Sequence, residues 1–494
     1  MWASTRVSRT IGVAYPILQG PFGGRHSTPA LAAAVSNAGG LGGFGAVGLE
    51  PEDIEQVVAD IRERTRNPFA VNLWVPIAGQ DDAEVPAQAA ERAVARLRPF
   101  VTEYGIATPS LPATGPPFHQ QIEALLRASP PVFSFVMGVP ERAIVDEIRR
   151  RGAKSIGTAT TVDEAVALQA AGVDVIVASG SDAGGHRGSF LTSVDRSLVG
   201  TMSLVPQIVD AVDVPIVAAG GIVDGRGIAA ALALGAEGVQ IGTAFLATSE
   251  SGAPAAHKSV LGTPRARTTR ITRAFTGRHA RGVENTLMLA LGEHPDDIVS
   301  YPAQSDLTLP LRRAAARAGR AEHLALWAGQ AAALARPIGA ADLVSALVDE
   351  TTSVLERAGR HRAHDHTRPG ETRAITGVIQ LYFDGLYEGD IEKLARAFHS
   401  TARLYSLNDG AVQEVTRDAW LAAVAGRPAP KASGLARTDR IVSIEVTDDA
   451  LATATAECSI HPRYFVDHLA FLKTPEHGWQ IVAKAFRTEV MPAV

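Results

Sequence analysis

The stretch "PIVAAGGIVDGRGIAAALALGAEGVQIGTAFL", residues 215–246, decides the fold. An uninterrupted apolar run from Pro215 to Ala219 turns through Gly220 and Gly221. An alanine-rich helical pattern led by Asp224 follows, and a second apolar run, Gly238 to Ile241, ends on Gly242 and Thr243. Strand, helix and strand in that order make a parallel βαβ unit, because a strand covered on both faces reads as continuous rather than alternating apolar sequence. Six further runs of the same kind lie upstream: "PILQGP" (16–21), "LGGFGA" (41–46), "FAVNLWV" (69–75), "VFSFVMG" (132–138), "KSIGTAT" (154–160) and "VDVIVAS" (173–179). Helical patterns such as "TPALAAAVSNAG" and "TVDEAVALQAAG" separate them. In the latter, Thr161 and Glu164 have the spacing of a capping box, and Gly172 stands where the helix should stop. Eight β/α units predict the α/β class and a (β/α)8 TIM barrel. A doubly wound open sheet is the alternative, and the strand count favours closure.

At 494 residues the chain exceeds one ordinary domain. Residues 76–131 and 247–350 exceed a minimal barrel and read as mostly helical, substrate-side insertions that cover the site. A polar, net basic run over 355–371 reads as a linker. Beyond it, "AITGVIQLYFDGLYEGDIEKLARAF" gives two amphipathic helices, followed by short alternating runs such as "RIVSIEVT" and "ALATATAECSI". Helices followed by antiparallel strands predict an α+β domain. The expected organisation is a barrel with insertions over 1–354, the linker, and an α+β domain over 372–494.

Apolar residues make up 46% of the chain, charged residues 20%, and the net charge is −5. This is ordinary globular composition and argues against general affinity for nucleic acid or an anionic membrane. Cys458 is the single cysteine, so no intramolecular disulfide forms, which fits a reducing cytoplasm. The first residues lack an apolar signal-like core, and Gly, Pro or charge breaks every apolar stretch well before ~20 residues. Neither a secretory leader nor a membrane span is expected. The expected partner is a small molecule.

Three features point to chemistry. Gly220–Gly221 and Gly242–Thr243 follow the seventh and eighth strands, where barrels often hold a phosphate on backbone N–H groups. Each glycine alone is equally a turn residue; the pair on adjacent loops favours the phosphate. In "SDAGGHRG" (181–188), His186 follows the sixth strand, at the end of the barrel where catalysis occurs, and imidazole titrates near neutral pH. A structural loop histidine is the equal alternative. Asn72, Gln19 and Gln240 are amides on apolar strands and need hydrogen-bond partners. Together they favour a flat polar ligand such as an isoalloxazine over isolated structural pairs.

Other patterns fail. "GLGGFG" (40–45) spells the dinucleotide fingerprint but follows a helix instead of a strand. "HRAHDH" (361–366) has metal-like spacing in a polar run without a rigid element, so no metal is expected. There is no Walker A motif and no GxSxG elbow.

The segments "ILQGPFGG", "STPALAAAVSNAGGLGGFGA", "FAVNLW", "SIGTATTVDEA", "AGGHRG", "VPQIVDAV", "PIVAAGGIVDGRGIAAALALGAEGVQIGTAFL" and "FTGRHARGVEN" resemble, in order, the nitronate monooxygenases, formerly called 2-nitropropane dioxygenases. The resemblance spans roughly residues 10–340 and implies an FMN-dependent TIM barrel. It implies that His186 is the catalytic histidine and that Asn72, Gly220, Gly221, Gly242 and Thr243 bind the flavin. Pro21, Phe22 and Gly23 match the loop that touches the isoalloxazine, with Gly184, Gly185 and Gln240 close to it. Phe22 stands where the family commonly has Met, and Asp182 where it often has Glu, both positions near flavin and substrate.

The activity so implied is oxidation of nitronates or nitroalkanes to carbonyl compounds and nitrite with O2. The same superfamily includes NAD(P)H-dependent FMN reductases of quinones and enoyl thioesters that share "GGH", which is the alternative. The segments "LYFDGLYEGDIEKLARAFH" and "DHLAFLKTPEHGWQIVAKAF" resemble NTF2-like, SnoaL-like domains. That resemblance implies a ligand-binding or dimerisation module, hence a homodimer through the C-terminal domain. His399 and Asp467 are its candidate acid–base residues and read as structural.

Overall fold

The computed structural model describes residues 2–77, 85–110, 116–364, 369–408 and 410–490. The chain divides into two compact units, Met1–Leu355 and Glu356–Val494.

All eight strand candidates of the first unit form: β1 (Ile17–Gln19), β2 (Gly42–Gly45), β3 (Phe69–Trp74), β4 (Val132–Val136), β5 (Lys154–Ala159), β6 (Val175–Ser179), β7 (Ile216–Ala219) and β8 (Gly238–Ile241). Neighbours pair in parallel around the sheet, and β1 pairs with β8. A parallel bridge between Leu18 and Leu41 joins β1 to the entry of β2, so the sheet closes into a barrel. The open-sheet alternative is excluded.

Strand alternation sorts the side chains. Leu18, Ala70, Val132, Ile156, Val175, Val177 and Val217 form one cluster inside the barrel. Their neighbours Ile17, Ile176, Ile216 and Val239 pack outward with helix residues such as Leu204 and Ile228. The same parity continues to the C-terminal strand ends. Asn72 follows Ala70 on the inner face, Thr158 follows Ile156, and Ser179 follows Val177. Gln240 is inward because Val239 is outward. Polar residues therefore cap an apolar barrel core, at the mouth.

The segments outside the minimal barrel differ in part from expectation. Ala87–Glu103 and Ala303–Arg317 are helices as expected. Residues 269–272 and 280–283, however, are strands of an antiparallel ribbon, and the short strand Gly185–His186 pairs with its second arm. The alternating "TRIT" sequence carries that ribbon, and four residues are too few to show a period. The helix Ala340–His364 is not part of a cover: Leu343, Val344 and Leu347 are buried in the barrel's outer helix layer.

That helix also runs through the first half of the stretch expected as a linker, and helix resumes at Pro369. The side chains of the "HRAHDH" run lie outside the described residues. At Thr161 only half of the expected capping box forms. Thr161 caps the helix, but the buried Glu164 carboxylate instead accepts from the N–H groups of Thr160, Phe190 and Leu191.

The second unit has helices Pro369–Glu388, Ile391–Ala397 and Arg417–Ala425. Its strands are β9 (Phe398–Asn408), β10 (Ala411–Thr416), β11 (Arg437–Val446), β12 (Leu451–Ile460), β13 (Arg463–Thr474) and β14 (Gly478–Val490), in the order β10-β9-β14-β13-β12-β11. All pairs are antiparallel except β9 with β14. This is the α+β arrangement expected. Its core gathers Tyr382, Phe383, Phe398, Phe471 and Trp479. Among the described residues no helix is long and apolar enough to cross a membrane, and no cluster of His, Cys, Asp and Glu could hold a metal.

Candidate active site

The C-terminal ends of the barrel strands open into a cavity of about 810 Å³. Such a volume suits a cofactor-sized ligand. The structure brings every assigned residue to its wall. Pro21, Phe22 and Gly23 come from the loop after β1, Asn72 from β3, and Gly184, Gly185 and His186 from the chain after β6. Gly220 and Gly221 come from the turn after β7, and Gln240, Gly242 and Thr243 from β8 and its end.

The amides separate. Asn72 is buried, and its Nδ2 donates to Ser134 Oγ at 3.0 Å. Gln240 faces the cavity. Gln19 is structural: its Oε1 accepts from the Gly43 N–H at 2.8 Å, and its amide nitrogen donates to the Gly20 carbonyl.

The glycines separate as well. A side chain on Gly184 would sit 2.4 Å from the Ala328 carbonyl carbon, so the protein's own chain fills that space. Gly220 has φ +117°, and a Cβ there would lie 2.6 Å from Thr201 Oγ1. These two are required by backbone packing. At Gly242 a Cβ would meet only the Phe22 ring, at 3.8 Å, and at Gly185 nothing within 4 Å. Those two leave cavity wall open. Beside them, Thr243 Oγ1 accepts from the Gly329 N–H at 3.0 Å, which leaves its proton free to donate.

Asp182 stands against Gly221 of the cavity wall, where an added Cβ would lie 3.4 Å from its side chain. Its carboxylate accepts from the Thr201 N–H at 2.6 Å and anchors the start of the helix Thr201–Val209.

His186 is held by residues that the sequence reading did not single out. Its Nε2 lies 2.9 Å from Thr276 Oγ1, which is 3.3 Å from the Arg278 carbonyl. The threonine oxygen thus stands between the ring nitrogen and that carbonyl and fixes the orientation of the imidazole. Trp74 and Trp327 flank the ring at 4.8 and 5.3 Å between centroids. The Arg278 guanidinium lies over the rings of Trp74 and Tyr301.

Burial, then the charges of Arg278 and Arg312, pull the His186 pKa down to about 3. The ring keeps some exposed surface only because it borders the cavity; protein atoms surround it otherwise. At neutral pH it is an uncharged base. Two more histidines border the cavity, His26 and His257, with rings 5.9 Å apart. Burial lowers them to about 4 and about 3.

The missed residues are Trp74, Thr276, Tyr301, Arg312 and Trp327. Strand alternation from Asn72 could have turned Trp74 inward. The others come from the insertion, where no period points to the cavity.

A family model described as "Nitronate monooxygenase" matches residues 4–350. A protein of Staphylococcus saprophyticus named "Probable nitronate monooxygenase" is 41% identical over 360 residues, 72% of this chain and 100% of its own. The crystal structure of a nitroalkane oxidase from Streptomyces ansochromogenes is 40% identical, with a TM-score of 0.66, and covers 72% of this chain and 100% of its own. FabK from Thermotoga maritima is 29% identical, with a TM-score of 0.58, and covers 72% of this chain and 99% of its own. The chain belongs to the nitronate monooxygenase family and is an oxidoreductase. Its C-terminal residues 370–487 match a second model, described as "Putative lumazine-binding".

Proposed function

We propose that this protein is an FMN-dependent nitronate monooxygenase, converting nitronates or nitroalkanes with O2 into carbonyl compounds and nitrite. FMN fits the cavity on three observations. The space beside Gly185 and Gly242 is empty, Thr243 has a hydroxyl proton to donate, and Asn72 and Gln240 offer amides for a flat polar ring. When bound, FMN supplies the redox capacity that no side chain here has.

The protein's own residues do the rest. Gly220, Gly221, Gly242 and Thr243 hold the phosphate end, and Pro21, Phe22 and Gly23 border the ring. The Trp74–Trp327 walls keep water from the reacting carbon. The neutral imidazole of His186 takes a proton from a neutral nitroalkane, or hydrogen-bonds a nitronate that has already ionised. The observation that carries the reading is the neutral His186 imidazole, fixed by Thr276 at the open end of a glycine-lined cavity.

The C-terminal unit, with its sheet over helices, is an NTF2-like, SnoaL-like module for ligand binding or for pairing two chains. A chain ending at His364 should keep its flavin.

Anaerobic mixing of the flavin-loaded protein with propyl-2-nitronate, NADH or NADPH tests the reading. Flavin reduction by the nitronate alone is expected. Bleaching by a nicotinamide nucleotide, with no response to nitronate, would overturn it in favour of a reductase.

A further inference from the structure

Arg312 on the helix Ala303–Arg317 lines the cavity, and among the described residues it makes no ion pair. Its hydrogen bonds stay on its own helix, from Nε to Thr308 Oγ1 at 3.1 Å and from Nη2 to the Ser305 carbonyl at 2.9 Å, with Ser305 Oγ at 3.3 Å. Among the described residues no carboxylate oxygen pairs with it. Asp306, which also borders the cavity, is felt only at longer range, and burial pushes its carboxyl up. Burial lowers Arg312 to about 10, which leaves it charged at neutral pH.

Arg25 and Arg313 also border the cavity but are exposed, and the wall's histidines, His26, His186 and His257, are neutral there. Arg312 contributes to lowering both His186 and His26, so its charge reaches the reacting region. An enclosed guanidinium whose acidic neighbour stays out of ion-pair reach is costly, and its planar fork is shaped for two oxygens of one planar anion.

We infer that Arg312 binds the substrate's negative charge, so that the site selects small, planar, delocalised oxyanions and admits unreactive carboxylates of the same shape. The nitronate as the natural occupant rests on the function proposed above; the anion site does not.

The test uses 2-methylpropanoate, a carboxylate close in shape to propyl-2-nitronate, titrated into the flavin-loaded full chain and followed by flavin absorbance. Its neutral amide serves as control. The carboxylate should bind and the amide should not. Arg312→Gln should weaken carboxylate binding by about tenfold to a hundredfold at unchanged flavin content, the usual worth of a charge-assisted hydrogen bond. Arg312→Lys should restore part of it. Equal affinity in wild type and Arg312→Gln would overturn the inference, as would failure of the wild type to bind, or loss of flavin from Arg312→Gln. Arg312-dependent carboxylate binding without nitronate turnover would leave the anion site standing and remove the nitronate reading. Nitronate turnover with carboxylate binding indifferent to Arg312 would do the reverse.

Discussion

The barrel unit gathers His186, His257 and Arg312 around open space, whereas the C-terminal unit buries Tyr382, Asp467 and Lys484 against one another. In the second unit the Tyr382 hydroxyl donates to Asp467 Oδ2 at 2.7 Å, Lys484 Nζ lies 2.9 Å from Asp467 Oδ1, and the same ammonium donates to the Tyr382 oxygen. The Lys484 and Asp467 side chains are 4% and 0% exposed. In the barrel, His186 and Arg312 line a cavity, and among the described residues their hydrogen bonds, to Thr276 and to Thr308 and Ser305, use only part of their capacity. Buried polarity alone therefore does not mark a site. Asp467 looked like an acid–base candidate in the sequence, yet its bonds are made inside the core. His399 is half-buried, and among the described residues its ring bonds to nearby Thr401.

The largest expected effect tests the open side of that contrast. His186→Asn should lose about 10²–10⁴-fold in kcat/KM with neutral nitroalkanes, the usual worth of a general base, and much less with preformed nitronates. Both substrate forms should be measured at matched flavin content. Equal losses would remove proton abstraction from His186 and leave it a binding role.

The closed side is tested by Lys484→Met, which strands the Asp467 carboxylate in the core. The C-terminal unit should lose about 3–5 kcal/mol in denaturant unfolding, while flavin binding by the barrel stays unchanged. An unaltered stability would mean that the trio is not an ion-paired network.

The glycines sharpen the comparison within the barrel. Gly184→Ala drives a methyl group into the Ala328–Gly329 backbone and should cost about 1–3 kcal/mol of stability. Gly242→Ala meets only Phe22, so melting of the flavin-free protein should barely change, while FMN affinity falls by roughly tenfold or more. Equal FMN affinity in wild type and Gly242→Ala would take the ligand away from that wall.

A separate test is acid sensitivity. His26, His186 and His257 have folded pKa values of about 4, 3 and 3, below the ordinary 6.5. Below pH 6.5 the unfolded chain takes up protons that the folded barrel refuses. Barrel stability is therefore full above pH 6.5 and declines toward pH 4 and below. Thermal melts of the barrel across that range should show the decline, and a flat profile would mean that these rings are not held neutral by burial.

Most of the barrel was legible in the sequence because its signals are local. A strand covered on both faces must be apolar throughout, a turn after it needs glycine, and helices between such strands carry their own starts and stops. The run 215–246 contains all of these, and each wall residue taken from it lies where the spacing put it. The mouth amides were readable for the same reason, since strand parity is fixed by the backbone. In the second unit the alternating runs "RIVSIEVT" and "ALATATAECSI" became β11 and β12, but β10 was missed, because the exposed edge strand Ala411–Thr416 carries no buried alternation.

What only the tertiary structure decided is how distant segments meet. The pairing of Gly185–His186 with Ala280–Arg281 brings Thr276 to the imidazole across ninety positions of chain. The helix Ala303–Arg317 delivers Arg312 to the same cavity, and Ala328–Gly329 fills the place beside Gly184. Asp182 is next to the histidine loop in sequence, yet it serves a helix start. These placements follow from packing between segments far apart in the chain. Composition, period and spacing record each segment's own needs, whereas hydrogen bonds, burial and charge at the site depend on which partner the fold supplies.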